Sequence, residues 1–202
     1  ISGRFSWLGT RGFIFRSDKP LDAATTYTVT LPAGINSIEG HMTNKPVTWN
    51  FSTVTPRLLH SSSQTTLFPE QARLNFTFNL SMNTHEVEKA LSIIDNASGH
   101  PLTTKHELIW SDNNHKLEVV FKETLPFGME IKVSLPRGLH AGVGNLTSKE
   151  AFSNIYTTPE ANFSLTRIFV PSLDGQLEPG SDTEVSVGDA VCYEFSQLID
   201  KE

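Results

Sequence analysis

Cysteine is nearly missing: Cys192 stands alone among 202 residues. A single thiol excludes an intrachain disulfide, so burial and hydrogen bonding must hold any core. Such poverty fits a cytosolic chain and equally a bacterial surface chain whose β-domains need no staples. Long apolar runs are absent, and no stretch reaches the length of a membrane span, so insertion into a membrane is not expected. A signal peptide is not visible either, since Ile1-Ser2-Gly3-Arg4 opens on ordinary sequence. The chain is therefore expected to be mature or an excised segment. Basic residues are too few for a nucleic-acid binder: 16 Lys and Arg stand against 22 Asp and Glu, a net charge of −6, with no basic stripe.

Motifs that carry chemistry are missing as well. His60 stands beside Ser61, Ser62 and Ser63, but no Gly-x-Ser-x-Gly elbow occurs, and a polar surface loop is the expected reading. The seven histidines are scattered, without the close pairs that ligate zinc. Asp112-Asn113-Asn114 and Asp174-Gly175 could offer oxygens to calcium, yet they hold too few carboxylates for a dedicated loop and read as turns. No catalytic, cofactor-binding or metal residue is expected. Asn-x-Ser/Thr triplets begin at Asn50, Asn75, Asn79, Asn96, Asn145 and Asn162. They would be glycan acceptors in a secreted eukaryotic protein and coincidence in a Ser/Thr-rich bacterial one.

What is present is a repeat. Leu31 to Thr53 reads LPAGINSIEGHMTNKPVTWNFST, and Leu135 to Thr157 reads LPRGLHAGVGNLTSKEAFSNIYT. The two align without a gap, so that Gly34 matches Gly138, Gly40 matches Gly144 and Asn50 matches Asn154. The period of 104 residues is that of a domain rather than a solenoid unit. Ahead of each block apolar residues alternate with polar ones: Tyr27, Val29, Leu31 in one copy, Ile131, Val133, Leu135 in the other. Period-two alternation marks a half-buried strand. The Pro that follows has no N–H for a ladder, and the Gly permits a turn. A closing strand follows, carrying Trp49 and Phe51 in one copy and Ile155 in the other.

Residues 1 to 54 add Trp7 and Phe13-Ile14-Phe15, a strand pair joined through Leu8 to Gly12. Residues 55 to 158 hold a complete copy. There Leu58-Leu59 starts a strand, and Leu74, Phe76 and Phe78 alternate with Asn75, Thr77 and Asn79. Asn83 with Glu86 forms a capping-box pattern that predicts a short helix through Leu91. Ser92 to Asp95 returns to strand, and Asn96 to Gly99 turns. Trp110 then precedes the strong turn Ser111 to Asn114, with Leu117, Val119 and Phe121 beyond it. About seven strands at sandwich spacing and almost no helix result. Residues 159 to 202 begin another copy: Phe195-Ser-Gln-Leu-Ile-Asp200 matches Phe78-Asn-Leu-Ser-Met-Asn83 in type.

These motifs resemble a bacterial Ig-like repeat of the S-layer type. Its opening is read in Phe78 to Asn83, its tryptophan in Trp110, its long strand in Leu21 to Leu31 and its close in Phe51-Ser-Thr53. Asn79-Leu80 departs from it, since Pro is usual after Ser there. The resemblance implies an all-β chain of Ig-like sandwiches, one complete copy flanked by two half copies, in an extracellular, cell-surface or periplasmic bacterial protein. A non-catalytic structural, spacer or adhesion module is the expected role, with neighbouring Ig-like repeats and a protein or cell-surface partner. Similar domains precede the core of bacterial alpha-2-macroglobulins, which trap proteases, so a module of such an inhibitor is the alternative. An accessory domain of a secreted enzyme is a third. No thioester motif occurs here.

The sandwich reading predicts a core of Leu74, Phe76, Phe78, Trp110, Val119, Phe121, Ile131, Val133 and Leu135, with Asn75, Thr77, Lys132 and Ser134 outward. Trp7 and Trp110 occupy matching positions and are expected to pack between sheets. Cys192 alternates with Tyr193, which places it on an outer face or at an edge. The two end segments are expected either to pair with each other, within or between molecules, or to belong to separate units.

Overall fold

The computed structural model describes residues 1–160, 165–171, 188 and 190–195. Nearly all its regular structure is antiparallel β. Seven strands lie between residues 55 and 158: β5 (Leu58–Ser61), β6 (Arg73–Phe78), β7 (Ser92–Asp95), β8 (His106–Ser111), β9 (Lys116–Phe121), β10 (Glu130–Leu135) and β11 (Phe152–Thr157). They form two sheets, ordered β5-β6-β9-β8 and β7-β10-β11. Thr66 adds a parallel bridge to Thr157, so the chain after β5 crosses to the second sheet before returning in β6.

Alternation dictates which face is buried. Leu74, Phe76, Phe78, Val119, Phe121, Ile131, Val133 and Leu135 are all in the core, while Asn75 is exposed and Thr77, Lys132 and Ser134 are half-buried. Trp110 is half-buried rather than buried, for a chemical reason. Its ring stacks on Phe78, with centroids 6.1 Å apart. Its indole N–H reaches outward to Glu88 Oε1 at 2.8 Å, so one edge of the ring must stay near solvent.

The short helix forms where its cap predicts. Helix α1 spans Thr84–Ala90, and the Asn83 side chain accepts from the Glu86 N–H. Glu86 turns instead toward His140 on the loop after β10, with Nδ1 3.0 Å from its carboxylate. The Asp112, Asn113 and Asn114 turn takes φ of 52°, 50° and 64°. Three left-handed residues in a row are tolerable because Asn and Asp are the side chains that best accept that conformation.

The closing strand departs from the gapless alignment. Tyr27 faces Phe51 in the first copy, whereas Ile131 faces Tyr156, not Ile155, in the second. The slip arises in the intervening loop. Thr43 Oγ1 accepts from Ile35 N–H, and Ser148 Oγ accepts from Leu139 N–H. Ile35 and Leu139 are 104 residues apart, but Thr43 and Ser148 are 105 apart. The second copy therefore carries one extra residue before its last strand. A one-residue slip exchanges the two faces of a strand. Ile155 consequently points outward and Tyr156 is fully buried. Among the described residues the Tyr156 hydroxyl has no hydrogen-bond partner. Tyr156→Phe is expected to raise the unfolding free energy by about 1–2 kcal/mol, because a buried unpaired hydroxyl carries its desolvation cost uncompensated. A denaturation midpoint that stays level or falls would show that the hydroxyl is satisfied in solution.

Residues 1–54 form two hairpins. Strand β1 (Gly3–Leu8) pairs with β2 (Gly12–Ser17), and β3 (Thr26–Leu31) with β4 (Val47–Ser52). The first repeats the β8–β9 ladder: Trp7 faces Phe13 as Trp110 faces Leu117. The second repeats β10–β11. The expected packing of Trp7 between sheets does not occur: Trp7 is 80% exposed and Phe5 69%. Among the described residues no counterpart of β6, which supplies Phe78 to Trp110, pairs with its hairpin. At the other end, β12 (Leu165–Phe169) pairs with β13 (Cys192–Phe195). Cys192 is half-buried and Tyr193 exposed. The described ladders thus join each end segment to itself, and none joins one end to the other.

Candidate functional site

The arrangement with the most built geometry is the joint between the two units. It begins at Thr53 to Pro56. Thr53 Oγ1 donates to the Asp22 carbonyl at 2.8 Å, and Ala24 N–H donates to the Val54 carbonyl at 2.9 Å. On the other side Asn79 clamps the same segment. Its Oδ1 accepts from Arg57 N–H at 2.7 Å, and its Nδ2 donates to the Thr55 carbonyl at 2.9 Å. Asn79 opens the Asn79-Leu80 stretch at which the sequence departs from the resemblance. Pro56 between these clamps is fully buried. The connection is tied down residue by residue rather than free to swing.

A second contact lies beside it. The loop after β10 reaches the first unit at Ala24. The Asn145 and Leu146 N–H groups both donate to the Ala24 carbonyl, at 2.8 and 2.7 Å. Asn145 Oδ1 accepts from Thr26 N–H at 3.3 Å. Ala24 is 0% exposed. Its φ of 50° is left-handed, and its sequence counterpart Gly128 takes 64°. Left-handed backbone costs a non-glycine residue about 1–2 kcal/mol. Two hydrogen bonds to one buried carbonyl offset that cost.

Gly144 makes the approach possible. Its φ is 89°, and a Cβ there would fall against the carbonyl oxygens of Ala23 and Ala24. Its counterpart Gly40 has φ 81° with nothing within 4 Å. The same glycine therefore serves a turn in one copy and a turn plus a contact in the other. The loop that makes the contact is also the one with the extra residue.

The residues singled out for chemistry are placed apart. His60 lies on β5 opposite Thr77 and is exposed. Ser62 pairs with Asn75 through backbone and hydroxyl. Ser62 and Ser63 border an open groove of about 390 Å³, with Gln64, Phe68 and Arg73. The Asp112 carboxylate lies 3.1 Å from Lys116 Nζ, so a cation already faces it. Asp95 caps its own turn, and its carboxyl is held below the usual range first by the Ser98 hydroxyl and then by the Ala97 N–H. Of the Asn-x-Ser/Thr positions, Asn79 and Asn145 are both spent in the joint. Asp174-Gly175 and Asn162 lie outside the described residues. The joint itself had no local sequence signal beyond the paired glycines, because Ala24 is not a residue that announces left-handed backbone.

Residues 1–53 match the family described as bacterial Ig-like domain. Those residues are of the bacterial Ig-like type. Over 101 residues, 46% of its length, the chain is 29% identical to an alpha-2-macroglobulin homolog of Nostoc sp.. It spans 5% of that protein. Among solved structures it is similar to native alpha-2-macroglobulin from Escherichia coli spanning domains MG0-NIE-MG1. That match has a TM-score of 0.39 and 20% identity, over 55% of this chain and 34% of the other.

Proposed function

We propose that the chain is a non-catalytic run of Ig-like modules that holds parts of a bacterial surface, secreted or periplasmic protein at a set spacing. The joint carries this reading. A spacer needs a defined angle between modules, and here the connecting segment is clamped on both sides while a second loop fixes Ala24. Two attachment points remove the freedom that a single linker leaves. Its partners are neighbouring Ig-like repeats and a protein or cell-surface component. The test is small-angle scattering of the 202-residue chain at a dilution where it is monomeric. A profile that fits one fixed arrangement of the two units, unchanged by salt, is expected. A profile requiring a broad range of angles would overturn the spacer role.

A second reading has one specific support, the 29% identity to a macroglobulin homolog. In it the modules belong to a macroglobulin-type protease inhibitor and position its other parts. The same rigid joint would serve, and a thioester-bearing region encoded in the same reading frame would decide for it.

A further inference from the structure

Strand β5 runs beside β6 only as far as Ser61, which faces Phe76. Ser62 extends the pairing by one step. Its N–H donates to the Asn75 carbonyl at 2.9 Å, and its hydroxyl accepts from the Asn75 N–H at 2.8 Å. The chain then leaves β6 and crosses to β11. There Thr157 N–H donates to the Thr65 carbonyl at 2.7 Å, and Leu67 N–H donates to the Thr157 carbonyl at 2.8 Å. It returns through a short 3-10 turn, Pro69–Gln71, to the start of β6. The detour opens the groove of about 390 Å³ between the crossing segment and the Arg73 end of β6. Its walls are held. Leu67 and Pro69 are buried, and Leu125 N–H donates to the Pro69 carbonyl at 3.0 Å. Between these two anchors Phe68 is 68% exposed. A ring fixed at its backbone and turned to solvent can meet a ligand at little ordering cost.

We infer that this groove binds a neutral oligosaccharide chain, with Phe68 as its stacking platform. The lining decides the class. Ser63, Gln64, Thr66, Gln71 and Asn75 present exposed hydroxyls and amides. Such groups donate and accept at once, as the neighbouring hydroxyls of a pyranose require. Among the described residues Arg73 is the only cation of the lining, and its Nη1 lies 3.0 Å from Glu118 Oε1. Its charge is met within the fold, so the groove does not select an anion. The C–H face of a sugar ring is apolar and lies flat on an aromatic side chain, which Phe68 supplies beside the polar groups. Because the groove is open, a single small molecule would keep much of its surface wet, whereas a chain of sugar units gains contacts along it. The inference does not rest on the spacer reading. The groove sits at the Arg73 end of β6, and the Asn79 clamp lies beyond the other end. A mobile joint would leave the groove intact, and a groove that binds nothing would leave the joint rigid.

The test is an amide NMR titration of the whole chain with cellohexaose, mannohexaose and chitohexaose in turn. At least one is expected to shift the Gln64, Thr66, Phe68 and Gln71 amides, while those of β10 stay in place. Phe68→Ala should weaken that binding about 10-fold, as loss of one aromatic contact does, and Phe68→Trp should keep it. Gln71→Ala should weaken it about 5-fold, the effect of one lost hydrogen bond. Phe68 and Gln71 are both exposed, so neither variant threatens the fold. Hexagalacturonate, a chain of equal length that carries carboxylates, is expected to bind no better than the neutral chains. Absence of shifts with all three neutral chains at about 10 mM would overturn the proposal, since even millimolar binding would show there. Shifts centred elsewhere, unchanged binding in Phe68→Ala, or tighter binding of hexagalacturonate that salt abolishes would each overturn it as well.

Discussion

Phe78→Ala is expected to remove about 3–5 kcal/mol of stability from the complete sandwich. The ring is 3% exposed and sits where both sheets and the helix region meet. It faces Leu58 across the β5–β6 ladder and stacks on Trp110. Truncation leaves a cavity lined by side chains that are already held by their own ladders, so collapse around it is limited. It also removes the platform that orients the Trp110 indole toward Glu88. The loss should therefore fall at the upper part of that range, since an aromatic pair adds to burial. Denaturant unfolding followed by tryptophan fluorescence measures it. Trp7 and Trp49 are substantially exposed, so the change on unfolding reports mainly on Trp110. A loss below about 1 kcal/mol would mean that the ring is not packed as described.

Most of the sandwich was legible because its strands alternate. Leu74-Asn75-Phe76-Thr77-Phe78 leaves one face to bury, and only one register buries it. The helix was legible because Asn83 and Glu86 sit at cap spacing. The facing of β11 was not legible for the opposite reason. Ile155 and Tyr156 are adjacent and both apolar enough to face inward, so the pattern of β11 does not choose between them. The choice is made by an extra residue in the preceding loop, which the shared Asn and Thr of the two copies conceal. Trp7 was misread because its position in the repeat predicts packing, but packing also needs a strand that residues 1–54 do not contain. The joint was illegible for a different cause. The bonds to the Ala24 carbonyl link residues more than a hundred positions apart, and that acceptor is a backbone carbonyl, which any residue possesses.

The paired glycines make the joint testable with an internal control. Gly144→Ala and Gly40→Ala both place a Cβ on left-handed backbone, and each should cost its own unit about 1–2 kcal/mol. Only Gly144→Ala also drives a methyl group into the carbonyls of Ala23 and Ala24. The loop must then withdraw. Withdrawal breaks the two bonds to the Ala24 carbonyl and the Asn145 bond to Thr26, each worth about 0.5–1.5 kcal/mol net. It also leaves that carbonyl buried or newly wet, with nothing to compensate the left-handed backbone at Ala24. The coupling between units should therefore fall by about 2–4 kcal/mol, while Gly40→Ala leaves it intact. Amide hydrogen exchange reads this directly. The Asn145 and Leu146 amides should lose protection in Gly144→Ala and keep it in Gly40→Ala, with the β6 and β9 amides protected in both. Equal protection of Asn145 and Leu146 in the two variants would show that the loop does not rest on Ala24 in solution. Among the described residues the clamped segment from Thr53 to Arg57 would then be left to fasten the units, and a single fastening permits a swing that two do not.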